Sequence, residues 1–122
     1  MELVTLATFA FLLTVKHTVC DLALQRLFPA DKKFYFNAPA HTHYFHHGIG
    51  SFLVGLIVGL PFALLIGAID YFAHWHIDHY KTIIRDRYNM QPSQDRYWVL
   101  QTADQALHFA TYYCFVLLAI SW

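Results

Sequence analysis

The sequence predicts an all-α protein, an integral membrane bundle of four helices, and three observations carry that prediction. Hydrophobic residues make up 57% of the 122 residues and charged residues only 13%, against roughly 25% charged in an average soluble domain. Long apolar stretches cover residues 3–27, 49–73 and 97–122. Inside them, histidine and aspartate recur four residues apart, at His17 and Asp21, His74 and Asp78, and Asp104 and His108.

The length suits a single domain, residues 1–122, with lipid as the favoured solvent. Eight basic and eight acidic residues balance, so no overall charge invites nucleic acid, and no stretch reads as a nucleic-acid module.

The first helix is expected over about residues 2–27. Its apolar start resembles a signal peptide, but Glu2 stands where a basic region belongs and the positive charges follow the apolar run, so a retained helix is expected. The segment 29–39 reads as a polar connector bounded by Pro29 and Pro39,. A second helix is expected over about 42–58 and a third over about 61–88. They are divided because Val58-Gly59-Leu60-Pro61 offers a helix stop followed by a proline suited to a new first turn,. The second is short for a full span. The fourth is expected over about 94–121, with Ser93 as its cap,. Cys20 and Cys114 make no CxxC pattern and are expected to be small buried hydrophobes, not a disulfide.

Hydropathy alone counts three apolar stretches, but charge and depth favour four helices. With four, Arg26, Lys32, Lys33, Lys81, Arg85, Arg87 and Arg96 all lie at or beyond one face, as the positive-inside rule expects of the cytoplasm. Lys16 alone remains within a span, where it can snorkel or pair. Four helices also bring the His/Asp pairs to one depth. His17 and His74 lie about fifteen and about thirteen residues from the same face, within about 3 Å at 1.5 Å per residue. A continuous helix would hold His47 and His74 about 40 Å apart. Tyr35, Tyr44, Tyr71, Trp75, Tyr80, Tyr88, Tyr97 and Trp98 fall mostly near the cytoplasmic edge and are expected to form an aromatic belt.

Residues four apart share a helix face, so each pair aims an imidazole and a carboxylate at one point. Ionisable groups inside a membrane helix are costly and face the interior. A divalent cation offsets that cost, because carboxylates and neutral imidazoles are its ordinary ligands, and di-metal helical bundles use related pairs. The expected ligands are His17, Asp21, His74, Asp78, Asp104 and His108, with His47 from the second helix and His43 as the alternative. His41, His46, His76 and His79 are expected at the interface or behind the ligands. Gln25 and Lys81 continue the polar stripe: Gln25 to orient a ligand or cap the stripe, Lys81 to hold an anionic group or snorkel. Gln105 is expected to point away from the metal and hydrogen-bond between helices.

The strings His17-Thr-Val-Cys-Asp21-Leu-Ala-Leu-Gln25, His74-Trp-His-Ile-Asp78-His-Tyr-Lys81 and Asp104-Gln105-Ala-Leu-His108 resemble those of a bacterial and phage family of small membrane proteins, domain of unknown function 3307. The resemblance implies a multi-pass membrane protein, and related families are named as membrane-bound metal-dependent hydrolases. The chain departs from it in its histidine-rich run at residues 41–47.

The leading expectation is a metal-dependent hydrolase at the cytoplasmic leaflet of a bacterial inner membrane, with both termini outside. It would use zinc or another first-row ion, in one or two positions, on a lipid, lipid-linked or phosphate-bearing substrate. Asp78 and Asp104 would serve the chemistry and Lys81 the anionic group. The alternatives are a non-catalytic metal-stabilised bundle for transport or partner binding, and a holin-like pore. Haem on two histidines would leave the aspartates unexplained.

Overall fold

A computed structural model of the chain describes residues 2–122. Among them are four helices and no strand: α1 (Leu3–Leu27), α2 (Ala38–Gly55), α3 (Leu60–Arg87) and α4 (Asp95–Ser121). They pack in a closed ring, α2 against α3, α3 against α4, and α1 against both α2 and α4. Three of them, α1, α3 and α4, are long and apolar enough to cross a membrane. The fourth, α2, has 18 residues and carries His41, His43, His46 and His47 between its N-terminus and its middle.

The boundary between α2 and α3 follows from its residues. Gly59 has φ +151°, a conformation that favours a residue without Cβ. Pro61 then sits in the first turn of α3, where its missing N–H would have no intrahelical partner. Close approach of these two helices depends on Gly48 and Gly67: a Cβ on either would lie 3.0 Å from the other's carbonyl oxygen.

Two helix starts differ from the sequence expectation. The start of α2 lies at Ala38 rather than residue 42, because the Asn37 side chain accepts a hydrogen bond from the Ala40 N–H at 3.1 Å and Pro39 fits the first turn,. Gln94, not Ser93, precedes α4, and its side chain makes no cap. A third difference lies within α1, where Val19–Leu24 winds as a π-helix and the Gln25 N–H reaches back to the Cys20 carbonyl. Single π-turns inside α-helices recur at functional sites, and this one carries Asp21.

The interior has two zones. Toward the termini and the Gly59 turn it is apolar: Phe9, Leu13, Phe62, Ile66, Tyr112, Phe115 and Ala119 form one cluster, with the Phe9 and Phe62 rings edge to face at 5.9 Å. Beyond it the buried side chains are polar and include Lys16, His17, His43, His47, Asp70, His74, Asp78, Asp104 and His108. The outer surface is the reverse, with Leu3, Val4, Phe11, Leu22, Val99 and Ile120 all exposed. Along the same outward faces, the hydroxyls of Thr8, Thr14, Thr18, Thr102 and Thr111 donate to the carbonyl four residues back. They therefore need no water.

Cys20 is buried and Cys114 is exposed, and both are free. The expectation of a buried Cys114 is corrected: its position on α4 faces outward, away from the ring. Tyr44 is also corrected, since it lies in the interior at 1% exposure rather than in a surface belt.

Candidate metal centre

All four helices contribute to the polar zone. The His17 ring lies 5.3 Å from that of His47, 5.6 Å from His74 and 5.2 Å from His108. His47 stacks on His74 at 3.6 Å, and His74 stacks on His108 at 4.0 Å. The common depth expected from the sequence is thus a row of imidazoles drawn from all four helices.

Two groups of side chains each present ligand atoms within 4.8 Å of one another: His17, Asp21, His47 and His74, and separately Asp78, Asp104 and His108. These buried clusters have the atom types and spacing to hold a metal ion. In the first group, Asp21 Oδ1 lies 2.9 Å from His47 Nε2, and Asp21 Oδ2 lies 3.2 Å from His17 Nε2. In the second, His108 Nε2 lies 3.3 Å from Asp78 Oδ1 and 3.6 Å from Asp104 Oδ1.

The division does not follow the sequence pairs throughout. His17 and Asp21 stay together, as do Asp104 and His108, but His74 and Asp78 part. His74 Nδ1 turns back to Asp70 Oδ1 at 2.9 Å, and its ring joins the first group while Asp78 joins the second. Asp70 was not singled out in the sequence, although Asp70, His74 and Asp78 form a run with spacing four that could have revealed it. It is fully buried, accepts from Ser51 Oγ at 2.6 Å and forms an ion pair with Lys16. Of the two expectations for Lys16, the structure has pairing. Its Nζ also lies 3.4 Å from His47 Nδ1.

His47 belongs to the first group, and His43 stands between the two. His43 Nε2 is 3.4 Å from Asp21 Oδ1 and 3.3 Å from Asp78 Oδ2. The angles do not make hydrogen bonds, and neither His43 nitrogen has a partner. Asp104 Oδ1 and His108 Nδ1 are likewise buried without a hydrogen bond. Buried polar atoms left unsatisfied are costly, and here four of them lie on His43, Asp104 and His108, in and beside the second ligand group. A cation with open coordination positions fits such a donor set.

Gln105 is corrected. It faces inward, with Oε1 3.1 Å from His17 Nε2 and Nε2 donating to Asp21 Oδ2 and Asp104 Oδ2, each at 3.4 Å. It does link helices, as expected, but inside the site. Lys81 donates to Asp104 Oδ2 at 3.0 Å. Lys32, expected only as a charge in the connector, is buried and donates to Asp78 Oδ2 at 2.5 Å and to Gln25 Oε1 at 2.7 Å. The remaining histidines lie outside both groups. His41 meets Tyr71 Oη at 2.6 Å, His76 meets Tyr35 Oη at 3.1 Å, and His79 Nδ1 donates to the Lys32 carbonyl at 3.0 Å.

Charge is distributed unevenly over the three buried aspartates and the half-buried Asp21. Asp70, Asp78 and Asp104 each pair with a lysine, whereas Asp21 is faced by His17, His43 and His47. Compared with known proteins, the chain matches no family model, no curated protein and no solved structure.

Proposed function

We propose that this chain is an integral membrane four-helix bundle that binds a divalent metal, zinc or another first-row ion, in one or both groups and uses it for hydrolysis. One observation carries the reading: buried imidazole and carboxylate ligands from four helices converge, and several of their atoms lack hydrogen bonds. Membrane insertion draws support from the apolar outer faces and polar interior, an arrangement that suits lipid rather than water. With the basic residues on the Lys32 side, that side faces the cytoplasm of a bacterial inner membrane and the termini lie outside. The resemblance to the family of small membrane proteins points the same way.

The bound ion supplies Lewis acidity toward water and toward a phosphoryl or carbonyl oxygen. The protein residues do the rest. Asp104, with Oδ1 free of hydrogen bonds, is the carboxylate best placed to accept a proton from an attacking water. Asp78, set between His108 and His43, shares the charge of the second group. Lys81, on the exposed side of Asp104, receives the anionic group of a lipid or lipid-linked substrate. Asp70 holds the His74 ring from behind.

A second reading has its own support. Three lysine–aspartate pairs already neutralise most of the buried charge, so the same layer suits a non-catalytic bundle for transport or partner binding. A holin-like pore fits less well, because a lesion needs polar side chains on a face shared between copies, and these point into one chain.

Elemental analysis of the protein purified without chelator tests the proposal, alongside His17→Ala and His108→Ala. Wild-type protein is expected to carry at least one transition-metal ion per chain, reduced in His17→Ala where the first group holds it and in His108→Ala where the second does. Metal-free wild-type protein, still metal-free after incubation with zinc and desalting, sinks it.

A further inference from the structure

The two ligand groups differ in what already occupies their carboxylates. In the first group Asp21 has only imidazoles and an amide for company. In the second, both carboxylates carry an ammonium: Lys32 on Asp78 and Lys81 on Asp104. These two lysines are not equivalent. Lys81 projects from the C-terminal part of α3, but Lys32 comes from the irregular segment 28–37, so it can withdraw without disturbing a helix. Its segment rests on α3 through polar and aromatic contacts, with the Tyr35 and Phe36 rings 4.6 Å and 5.7 Å from that of Trp75. The Lys32 carbonyl accepts from His79 Nδ1 at 3.0 Å, and the Tyr35 carbonyl accepts from Trp75 Nε1 at 3.0 Å.

With Lys32 in place, the second group remains unsatisfied at Asp104 Oδ1 and His108 Nδ1, and both nitrogens of the adjoining His43 lack partners. An ammonium brings three donors and one charge, and two of its donors are spent on Asp78 and Gln25,. It cannot also reach those atoms. A divalent ion carries twice the charge and accepts lone pairs from carboxylate and imidazole together.

We propose that Lys32 is a displaceable latch on the second metal position. Resting on the metal-centre reading above, the two positions then differ in kind. The first group takes an ion without competition. The second takes one only by driving the Lys32 ammonium off Asp78, which admits His43 as a further ligand. Loading of the second position is thereby coupled to withdrawal of the Lys32 side chain from the site.

Zinc titration of the full-length protein in detergent micelles, against a competing chromogenic chelator, tests this in wild type and in Lys32→Met, Lys32→Arg and Lys33→Met. Wild type is expected to bind a first ion tightly and a second more weakly. Lys32→Met tightens the second step by about tenfold, the equivalent of one charged hydrogen bond no longer lost. Lys32→Arg keeps a cation on Asp78 and stays near wild type. Lys33→Met, which removes the same charge from an exposed neighbour, also leaves the second step unchanged. Tight first-ion binding in every protein certifies the fold. Given that, an unchanged second step in Lys32→Met, or an equal change in Lys33→Met, overturns the latch and leaves the metal centre standing. No zinc binding in any of the proteins overturns both. Should Lys32→Met fail to fold, amine labelling of wild type decides: reactivity of Lys32 toward an acylating reagent rises when zinc is added, and a zinc-insensitive Lys32 overturns the latch.

Discussion

His74 Nδ1 lies 2.9 Å from Asp70 Oδ1, one turn back on the same helix, and this contact leaves His74 Nε2 as the nitrogen directed away from α3. A carboxylate behind a ligating imidazole fixes its tautomer and raises its basicity. Asp70 in turn is held by Ser51 and Lys16, so three helices set the orientation of one ring.

Asp70→Asn is therefore expected to weaken zinc binding by about 10–100-fold. It also strands the Lys16 ammonium, at a cost of about 3–5 kcal/mol in stability. The double variant Lys16→Met/Asp70→Asn removes both charges. It is expected to recover most of the thermal stability while zinc affinity stays low, as measured by chelator competition beside a melting curve. Recovery of both together would show that Asp70 serves only to neutralise Lys16.

The proposed hydrolysis depends on carboxylates in the second group. Asp104→Asn and Asp78→Asn are expected to lower turnover of a chromogenic phosphodiester by about 10²-fold or more, with helicity and membrane extraction unchanged. Lys81→Met is expected to raise KM for an anionic substrate more than it lowers kcat. Wild-type turnover in Asp104→Asn would remove Asp104 from the chemistry.

The two cysteines, Cys114 on α4 and Cys20 on α1, offer a test of whether the outward face of α4 meets lipid. Cys114 is exposed and Cys20 buried. In membranes, an apolar maleimide is expected to label Cys114 and spare Cys20, whereas a charged, membrane-impermeant maleimide labels neither. Rapid labelling of Cys114 by the charged reagent would place that face in water.

Gly59 has φ +151° between α2 and α3. Gly59→Ala forces a side chain into a conformation that costs about 1–3 kcal/mol. A lowered Tm, with the zinc stoichiometry retained, is the expected outcome. An unchanged Tm would mean the turn can relax into another conformation.

The helices were legible because each rests on local chemistry. Gly59 and Pro61 divide the middle apolar stretch at the observed place, and the connectors begin where apolar residues give way to polar ones. Spacing of four also placed His17, Asp21, Asp104 and His108 on inward faces, since helix geometry alone assigns residues to a face. Spacing does not choose between neighbours, however. His74 has an aspartate four residues to either side and bonds Asp70, because Ser51 of α2 and Lys16 of α1 hold Asp70 in place.

Lys32 was less legible still. It lies in a segment without periodicity, and only the docking of Tyr35 on Trp75 and of the Lys32 carbonyl on His79 carries its ammonium to Asp78. By itself the sequence determined an all-helical chain with apolar spans and imidazole–carboxylate faces, because helix period and side-chain polarity act within a few residues. Which carboxylate meets which imidazole or lysine was decided only by the tertiary structure, because those partners come from separate segments and meet only when the ring of helices closes.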